Sequence, residues 1–314
     1  EGVIEIISAQ VGDNVGVQDV LAHIKNSANQ LIAVASLSSD KAASGGIWNN
    51  QFDTTAMPAG SYSVSLIATD KAGNFSRLNN ATSFSISAKT LGVKNDGANN
   101  VCKPLLANGN SSQKLDVVFI PCGFGDETAA FENAAQAAAD NLLGVLPLSN
   151  HKQKFNITLA EIPDLVCSDK LAANMDYDAS RFTTAAQVCS PDVVVVIKKN
   201  GEDGGISLPG SRIAFILAAD PFLTAHEIGH AFFRLNDEYS YGCTAADLTL
   251  SFNCDNSPKC VKFKDLENAE CVAGCTCEGN YRSAKTSVMF DARTADTFSP
   301  AASRLINSWM QAFK

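Results

Sequence analysis

Hydrophobic positions follow one spacing in the first 88 residues and another from residue 113 onward. In the first stretch, short apolar or alternating runs are separated by glycine-containing turns. The run 61–68 alternates cleanly, so Tyr62 and every second residue after it share one face of a strand. Strands at this spacing predict an all-β sandwich of two sheets over residues 1–88.

The second stretch, residues 113–314, interleaves strand and helix patterns. An alanine-rich helix is predicted from a cap at Asp126 or Thr128 to Leu143, and a closing helix from 303 to 313. Strands are predicted at 116–120, 155–160, 192–197 and 213–217. This order predicts an α/β domain with a mostly parallel, twisted sheet.

Residues 89–112 separate the two stretches. They are rich in Asn, Gly, Ser and Lys and show no hydrophobic periodicity, which predicts a linker. Cys102 lies within this segment, so a disulfide can tie the linker to the second domain.

One helix of the second domain carries candidate chemistry. Thr224 is expected to cap it, and His226, Glu227 and His230 follow in the pattern H-E-x-x-H. Four helical residues advance about 6 Å and slightly more than one turn, so both imidazoles leave one face and can hold one metal ion. The pattern also arises by chance, but a buried histidine pair beside a buried glutamate is costly unless it binds something.

Two histidines and one carboxylate form the ligand set of a catalytic zinc site, which keeps an open position for water. Glu227 lies about 100° around the helix from His226, where a general base can take the proton of that water. The hydroxide would attack a peptide carbonyl polarised by Zn²⁺, and Glu227 would pass the proton to the departing amine. Tyr239, Tyr241 and Tyr281 are candidates to stabilise the oxyanion, although each is more often a packing residue.

The residues around this motif resemble a known family. H-E-x-G-H at 226–230, the apolar stretch after it and Asp-Glu-Tyr at 237–239 are similar to the IgA-peptidase family of zinc metallopeptidases, relatives of the metzincins. Ser-Val-Met-Phe at 287–290 resembles the Met-turn under the metzincin zinc site. The resemblance covers 113–314 and implies a metzincin-like domain whose cleft runs between an edge strand and the zinc helix. It also implies that Met289 packs below the ligands and carries no chemistry.

The third zinc ligand is expected after the helix ends. The metzincin pattern would place glycine at Phe233 and the third ligand at Asn236, and this chain has neither. We favour Asp237 over Glu238, because a left-handed turn at Asn236 allows a tight return and an extended segment would point Glu238 the other way. Glu238 is the alternative ligand; otherwise it is expected to hold Tyr239 or the far nitrogen of a ligand histidine.

The first domain carries a resemblance of its own. The segments 58–62 and 69–74 are similar to bacterial immunoglobulin-like modules, which implies an immunoglobulin-like β-sandwich. A spacer or docking role is expected for this domain. Trp48 is expected in its core.

Net charge and cysteine content indicate the kind of partner and the cellular compartment of the protein. The net charge of −9 argues against nucleic acid or an anionic membrane as the main partner. No apolar run is long enough to predict a membrane span. The chain begins without a charged-then-apolar leader, so we expect that any signal peptide has been removed.

All ten cysteines lie between Cys102 and Cys277. This density predicts disulfides and a secreted, periplasmic or cell-surface protein. The alternative is a second metal site in Cys271-x-x-x-Cys275-x-Cys277, although the C-x-x-C pairs of zinc knuckles are absent. Six cysteines fall within 240–286, which predicts a covalently pinned excursion that shapes the substrate cleft.

These features together predict a secreted zinc endopeptidase that cleaves extracellular protein or peptide substrates. The family name implies cleavage of an immunoglobulin hinge, a specificity of particular members, so immunoglobulins or other glycoproteins are the expected substrate class. One alternative is another zinc hydrolase, such as an exopeptidase or a deacetylase. The other is a non-catalytic surface binding protein, against which the intact Glu227 argues.

Overall fold

A computed structural model gives the arrangement of most of the chain. It divides the chain into two compact units, one containing Glu1–Lys89 and the other containing Thr90–Ala245 and Asn253–Lys314. The residues that the structure describes are 4–12, 16–27, 31–37, 46–54, 60–70, 74–86, 101–162, 165, 181–201, 204–244 and 252–313.

The first unit consists of antiparallel strands. Its strands are β1 (Ile4–Val11), β2 (Val17–Asn26), β3 (Leu31–Leu37), β4 (Gly46–Asp53), β5 (Gly60–Asp70) and β6 (Phe75–Ile86). β1 pairs with β4, and the other four form a sheet in the order β3-β2-β5-β6. Alternate residues of β2 are buried, as are Tyr62 and Val64 of β5 and Trp48 of β4. The immunoglobulin-like assignment of this unit stays a prediction.

A six-stranded sheet forms the centre of the second unit. Its strands are β7 (Cys102–Leu106), β8 (Leu115–Cys122), β9 (Phe155–Ala160), β10 (Val193–Lys198), β11 (Gly205–Ser207) and β12 (Ile213–Leu217), in the order β11-β12-β10-β8-β9-β7. The four inner strands are parallel, and the two edge strands, β7 and β11, are antiparallel to their neighbours. β8 and β10 are buried along their whole length, which explains their continuous apolar runs.

Three helices have defined bounds in this unit: α1 (Thr128–Gly144), α2 (Thr224–Ala231) and α3 (Pro300–Met310). α1 connects β8 to β9 and buries one face, including Phe131 and Leu142. Neither predicted cap of α1 is correct, because Glu127 precedes the first turn and its side chain caps no amide. α3 begins three residues before the predicted start, because the Ser299 side chain accepts a hydrogen bond from the Ala302 amide.

The linker prediction is wrong for residues 101–112. β7 pairs antiparallel with β9, and Cys102 forms a disulfide with Cys189, so this segment is the edge of the central sheet. Its polar composition suits an edge strand, since one side of its backbone needs no partner strand. The remaining part of the predicted linker, 89–100, lies outside the described residues.

The segment 240–286, termed the cysteine-rich excursion, forms a small sheet of its own apart from 245–251, which lie outside the described residues. Its strands β13 (Ser240–Thr244), β14 (Cys254–Asp255) and β15 (Val272–Arg282) have the order β13-β15-β14. Disulfides join Cys243 to Cys277, Cys254 to Cys275 and Cys260 to Cys271. The disulfide prediction is confirmed. Each cysteine of the alternative metal motif, Cys271, Cys275 and Cys277, forms a disulfide with a cysteine outside that motif.

No helix in the part of the chain that the structure describes is long and apolar enough to cross a membrane.

Candidate metal centre

α2 brings the motif into the core of the second unit. All eight of its residues are buried, and the helix packs against α1, β11 and β12. The predicted cap at Thr224 is wrong: Thr224 is already helical, and its hydroxyl donates to the carbonyl of Pro221 at 2.7 Å. A short 3₁₀ turn, Pro221–Leu223, leads directly into the helix and replaces a side-chain cap.

The chain reverses immediately after α2. Arg234 takes the left-handed conformation with φ 59°, two residues before the predicted position at Asn236. The amide of Leu235 then donates to the carbonyl of Gly229 at 2.9 Å, which draws the chain back along the helix. This return brings Asp237 to the face that carries His226.

Three side chains meet at this face. The Nε2 atoms of His226 and His230 lie 3.1 Å apart, and Oδ1 of Asp237 lies 3.1 Å from the first and 3.3 Å from the second. His226, His230 and Asp237 are the group among the described residues whose ligand atoms converge in the manner of a metal site. The structure thus places Asp237, and not Glu238, beside the two histidines.

Backbone carbonyls orient both imidazoles. Nδ1 of His226 lies 2.9 Å from the carbonyl oxygen of Val288, and Nδ1 of His230 lies 2.6 Å from that of Leu235. A carbonyl only accepts, so each Nδ1 must carry the proton and donate it. In the neutral rings, both Nε2 atoms therefore present lone pairs to the centre, as metal-ligating histidines do.

The arrangement fits a small cation. Oδ1 of Asp237 is buried and has no hydrogen-bond partner, since the neutral Nε2 atoms facing it carry no proton. Ligand atoms at zinc distances of about 2.0–2.1 Å in a tetrahedron are about 3.3 Å apart, close to the separations of the three atoms. Two imidazole nitrogens and a carboxylate oxygen also suit Zn²⁺ by chemical type.

The pKa shifts of these residues also indicate that the centre needs a positive charge. Burial opposes a charge on His226, but the carboxylates of Asp237 and Glu227, which would stabilise a protonated ring, raise its pKa to about 9. Burial acts to raise the pKa of Asp237, yet the two histidines outweigh it and hold this pKa well below its usual range. A proton on His226 and a metal cation are thus alternative ways to balance Asp237.

Glu227 faces the edge strand β11. Its Oε2 accepts a hydrogen bond of 2.8 Å from the hydroxyl of Ser207, which lies equally close to the Glu227 backbone carbonyl. A Cβ added to Gly205 would come within 2.7 Å of Oε1, so only glycine allows the strand this close. Burial raises the pKa of Glu227, although the two histidines act in the opposite direction.

Glu238 is buried and lies elsewhere in the network. It accepts hydrogen bonds from the hydroxyls of Ser287 at 2.5 Å and Ser299 at 2.6 Å and from Nδ2 of Asn253 at 3.1 Å. Its own amide donates to the carbonyl of Met289. The expectation that Glu238 holds a histidine's far nitrogen or Tyr239 is wrong, because backbone carbonyls hold both nitrogens and three other side chains hold Glu238.

Met289 lies beneath the helix and is fully buried. A Cβ added to Gly229 would come within 2.7 Å of its sulfur and 3.3 Å of Phe298. The glycine between the two histidines is therefore needed for α2 to sit on the Met289 side chain. No polar contact of the thioether is involved, so its contribution is packing.

The three candidate tyrosines separate in space. The Tyr241 hydroxyl donates to Oδ2 of Asp237, and the Tyr239 ring packs edge-on against the Tyr241 ring with centroids 4.9 Å apart. Tyr281 instead packs against the buried cluster of Cys260, Phe263 and Ala301. The oxyanion role stays a prediction for all three, and Tyr239 and Tyr241 are the two that the structure describes beside Asp237.

Comparisons with known proteins identify no relative. No protein-family model matches the chain, and no curated protein matches it. Among solved structures, enterochelin esterase from Shigella flexneri is 12% identical over 62% of this chain and 64% of that chain, with a TM-score of 0.14. Ruminococcus gnavus beta-glucuronidase is 11% identical over 57% of this chain and 31% of that chain, with a TM-score of 0.13. The chain spans less than two thirds of either protein, and likenesses this weak carry no argument about fold or function.

Several residues that hold the side chains of the candidate centre could not be recognised from the sequence. Ser207 holds Glu227, and the Asn253 amide pairs with both the N–H and the carbonyl of Asn236 at 2.9 and 2.7 Å. A serine in a short strand and an asparagine between cysteines are ordinary residue types in such places. Only the tertiary contacts distinguish them.

Proposed function

We propose that the chain is a zinc-dependent endopeptidase of the IgA-peptidase type. The observation that carries this proposal is the convergence of His226, His230 and Asp237 on one point with Glu227 buried beside it. The resemblance of the motif and of the segment around Met289 to that family supports the assignment to peptide hydrolysis.

His226, His230 and Asp237 would hold Zn²⁺, which would serve as a Lewis acid for the peptide carbonyl and the attacking water. Glu227 accepts the proton of the attacking water and returns it to the leaving amine. Burial raises the pKa of Glu227, which makes this carboxylate a better proton acceptor than an exposed glutamate.

Ser207 lets Glu227 change its protonation state without losing its hydrogen bonds. The serine hydroxyl has one hydrogen, while Oε2 and the backbone carbonyl of Glu227 both lie 2.8 Å from its oxygen. With Glu227 ionised, the hydroxyl donates to Oε2. With Glu227 protonated, the hydroxyl donates to the carbonyl and accepts from the carboxyl group.

The substrate strand is proposed to lie along β11. This strand is at the edge of the sheet, and no strand among the described residues pairs with its outer side. An extended peptide can add to such an edge through backbone hydrogen bonds. Gly205 touches Glu227, so a peptide bound there runs beside the general base, and β-addition does not require a free peptide end. This arrangement favours an endopeptidase over an exopeptidase.

An extracellular setting and an extracellular protein substrate belong to the same proposal. Four disulfides are observed, Cys122 is also disulfide-bonded, and no cysteine in the described ranges is free. Bonds of this kind persist in oxidising compartments. A secreted, periplasmic or surface location and an immunoglobulin or other glycoprotein substrate are consistent with this chemistry.

Peptide hydrolysis can be tested with Glu227→Gln. The amide cannot accept the water's proton, so we expect cleavage of a peptide library blocked at both ends to fall about 10²-fold or more, while zinc content stays the same. Glu132→Gln is the matched control, because Glu132 forms a surface ion pair with Lys103 and should leave cleavage unchanged.

Zinc content and chelator sensitivity complete the experiment. Wild-type protein should hold one zinc, and chelation should stop cleavage. A wild type that cleaves only peptides with a free end would be an exopeptidase, and one that removes acyl groups without cutting the chain would be a deacetylase. Full activity of Glu227→Gln would exclude the proposed mechanism.

A further inference from the structure

The two carboxylate oxygens of Asp237 have different partners. Oδ1 faces both histidine Nε2 atoms at 3.1 and 3.3 Å, whereas Oδ2 accepts a hydrogen bond from the Tyr241 hydroxyl. A carboxylate held in this way turns one defined oxygen toward the cation. We infer that Tyr241 is a positioning residue of the metal centre, which makes Asp237 a monodentate ligand, and that the cysteine-rich excursion contributes to metal affinity through it.

The Tyr239 hydroxyl adjoins the Tyr241 hydroxyl and also interacts with the Asp237 carboxylate. The hydroxyl oxygens of Tyr239 and Tyr241 are 2.9 Å apart, and each phenol has a single hydrogen. The carboxylate of Asp237 is the stronger acceptor, so Tyr241 donates to it and accepts from Tyr239. Removal of the Tyr239 hydroxyl therefore leaves the hydrogen bond from Tyr241 to Asp237 in place.

An irregularity in β13 presents Tyr241 to the centre. The pairing of β13 with β15 shifts register between Ser240 and Cys243. Gly242, within this shift, has a φ of 76°, which favours glycine. Tyr241 lies in the same interruption, so its position depends on what holds the chain on either side.

β15 holds both sides of this interruption. Before it, Thr276 donates from its amide to the carbonyl of Tyr239 and from its hydroxyl to the carbonyl of Asp237, each at 2.8 Å. After it, the disulfide joins Cys243 to Cys277. Cys243 lies two residues after Tyr241, so this disulfide restricts the positions that the Tyr241 hydroxyl can occupy.

The first test is Tyr241→Phe, compared with Tyr239→Phe. The inference rests on the proposed zinc centre, and the readout is zinc affinity in competition with a chelator, not peptide cleavage. Partners of metal ligands are worth about 10- to 100-fold in affinity, so we expect a loss of about 10-fold for Tyr241→Phe. Tyr239→Phe should lose less affinity than Tyr241→Phe, because the hydrogen bond from Tyr241 to Asp237 remains. The melting temperature measured without zinc should be alike in both variants, which separates positioning from general stability.

The second test removes the disulfide beside Tyr241. The double variant Cys243→Ala/Cys277→Ala should weaken zinc binding, and adding Tyr241→Phe to it should produce little further loss, because both changes act on the same hydroxyl. Cys260→Ala/Cys271→Ala removes a disulfide of the same excursion whose cysteines make no described contact with Asp237. This control should retain wild-type zinc affinity.

The outcomes separate this inference from the proposed function. Unchanged zinc affinity in Tyr241→Phe would overturn the inference, while continued peptide cleavage by the wild type would leave the proposed function intact. An equal loss in Tyr239→Phe would overturn the assignment to Tyr241, and additive losses would overturn the link to the disulfide. Zinc binding without peptide cleavage would leave the inference standing alone, and a wild type that binds no zinc would overturn both.

Discussion

The central sheet and the cysteine-rich excursion of the second unit are stabilised in different ways. β8 and β10 are continuous apolar runs buried on both faces, with α1 and α2 packed against their sheet. The excursion is a small three-stranded sheet in which only β15 is long, and three disulfides cross-link it. Apolar burial is therefore the main stabilising contribution in the first region, to which the Cys102–Cys189 disulfide adds at the sheet edge, and covalent bonds replace much of that burial in the second.

The candidate metal centre lies where these two regions meet. His226 and His230 come from a helix of the first region, and the hydroxyl that orients Asp237 comes from the second. Glu238 joins the excursion, through Asn253, to the segment before α3, through Ser287 and Ser299. Helix geometry alone brings the two imidazoles together, whereas the orientation of Asp237 depends on a cross-linked neighbour.

Reduction of the disulfides should have the largest effect and should divide the two regions. Each disulfide contributes about 2–4 kcal/mol, so full reduction should lower the free energy of opening of the excursion by several kcal/mol. Hydrogen exchange should show much faster exchange of β14 and β15 amides. Reduction also opens the Cys102–Cys189 disulfide at the sheet edge, but β10 and β12 contain no cysteine and should change little. Equal acceleration in both regions would mean that the excursion and the sheet open as one unit.

Asp237→Ala and Glu238→Ala should lose different properties: the first should lose zinc affinity and the second thermal stability. Asp237→Ala removes a proposed ligand, so we expect a loss of zinc affinity of more than about 100-fold, beyond the range for indirect partners. Glu238→Ala leaves three buried partners without their acceptor, each worth about 1–3 kcal/mol, and should mainly lower thermal stability. Chelator competition and thermal unfolding of both variants measure the two effects. A larger zinc loss in Glu238→Ala would contradict the assignment of Asp237.

Gly229→Ala should have the smallest effect of the three and tests packing within the first region. The new methyl group meets the buried sulfur of Met289, and overpacking of this kind costs about 1–3 kcal/mol. Gly144→Ala is the control, since a Cβ at that position of α1 meets no atom within 4 Å. It should be neutral or stabilising by about 0.5–1 kcal/mol. Denaturant unfolding compares the two, and equal stabilities would show that Met289 moves aside freely.

Elements with a local signal can be predicted from the amino-acid sequence. The periodic spacing of His226 and His230 places them on one helix face, and apolar runs mark β8, β9, β10 and β12 within one or two residues of their observed bounds. The order of strands and helices also indicates a largely parallel sheet. These features follow from repeats of two and of 3.6 residues, which a single chain displays without reference to its folded neighbours.

Contacts between residues that are distant in the chain complete the candidate centre. Val288 lies 62 residues from His226, and no spacing rule connects a carbonyl to an imidazole over that distance. The same holds for Ser207 on Glu227 and for Tyr241, whose place depends on the Cys243–Cys277 disulfide. The left-handed residue after α2 is an arginine, a choice that local propensity disfavours and the surrounding packing imposes. The helical repeat is enough to predict that the two histidines share one face. It does not distinguish the adjacent Asp237 and Glu238, because their different partners are distant in the chain.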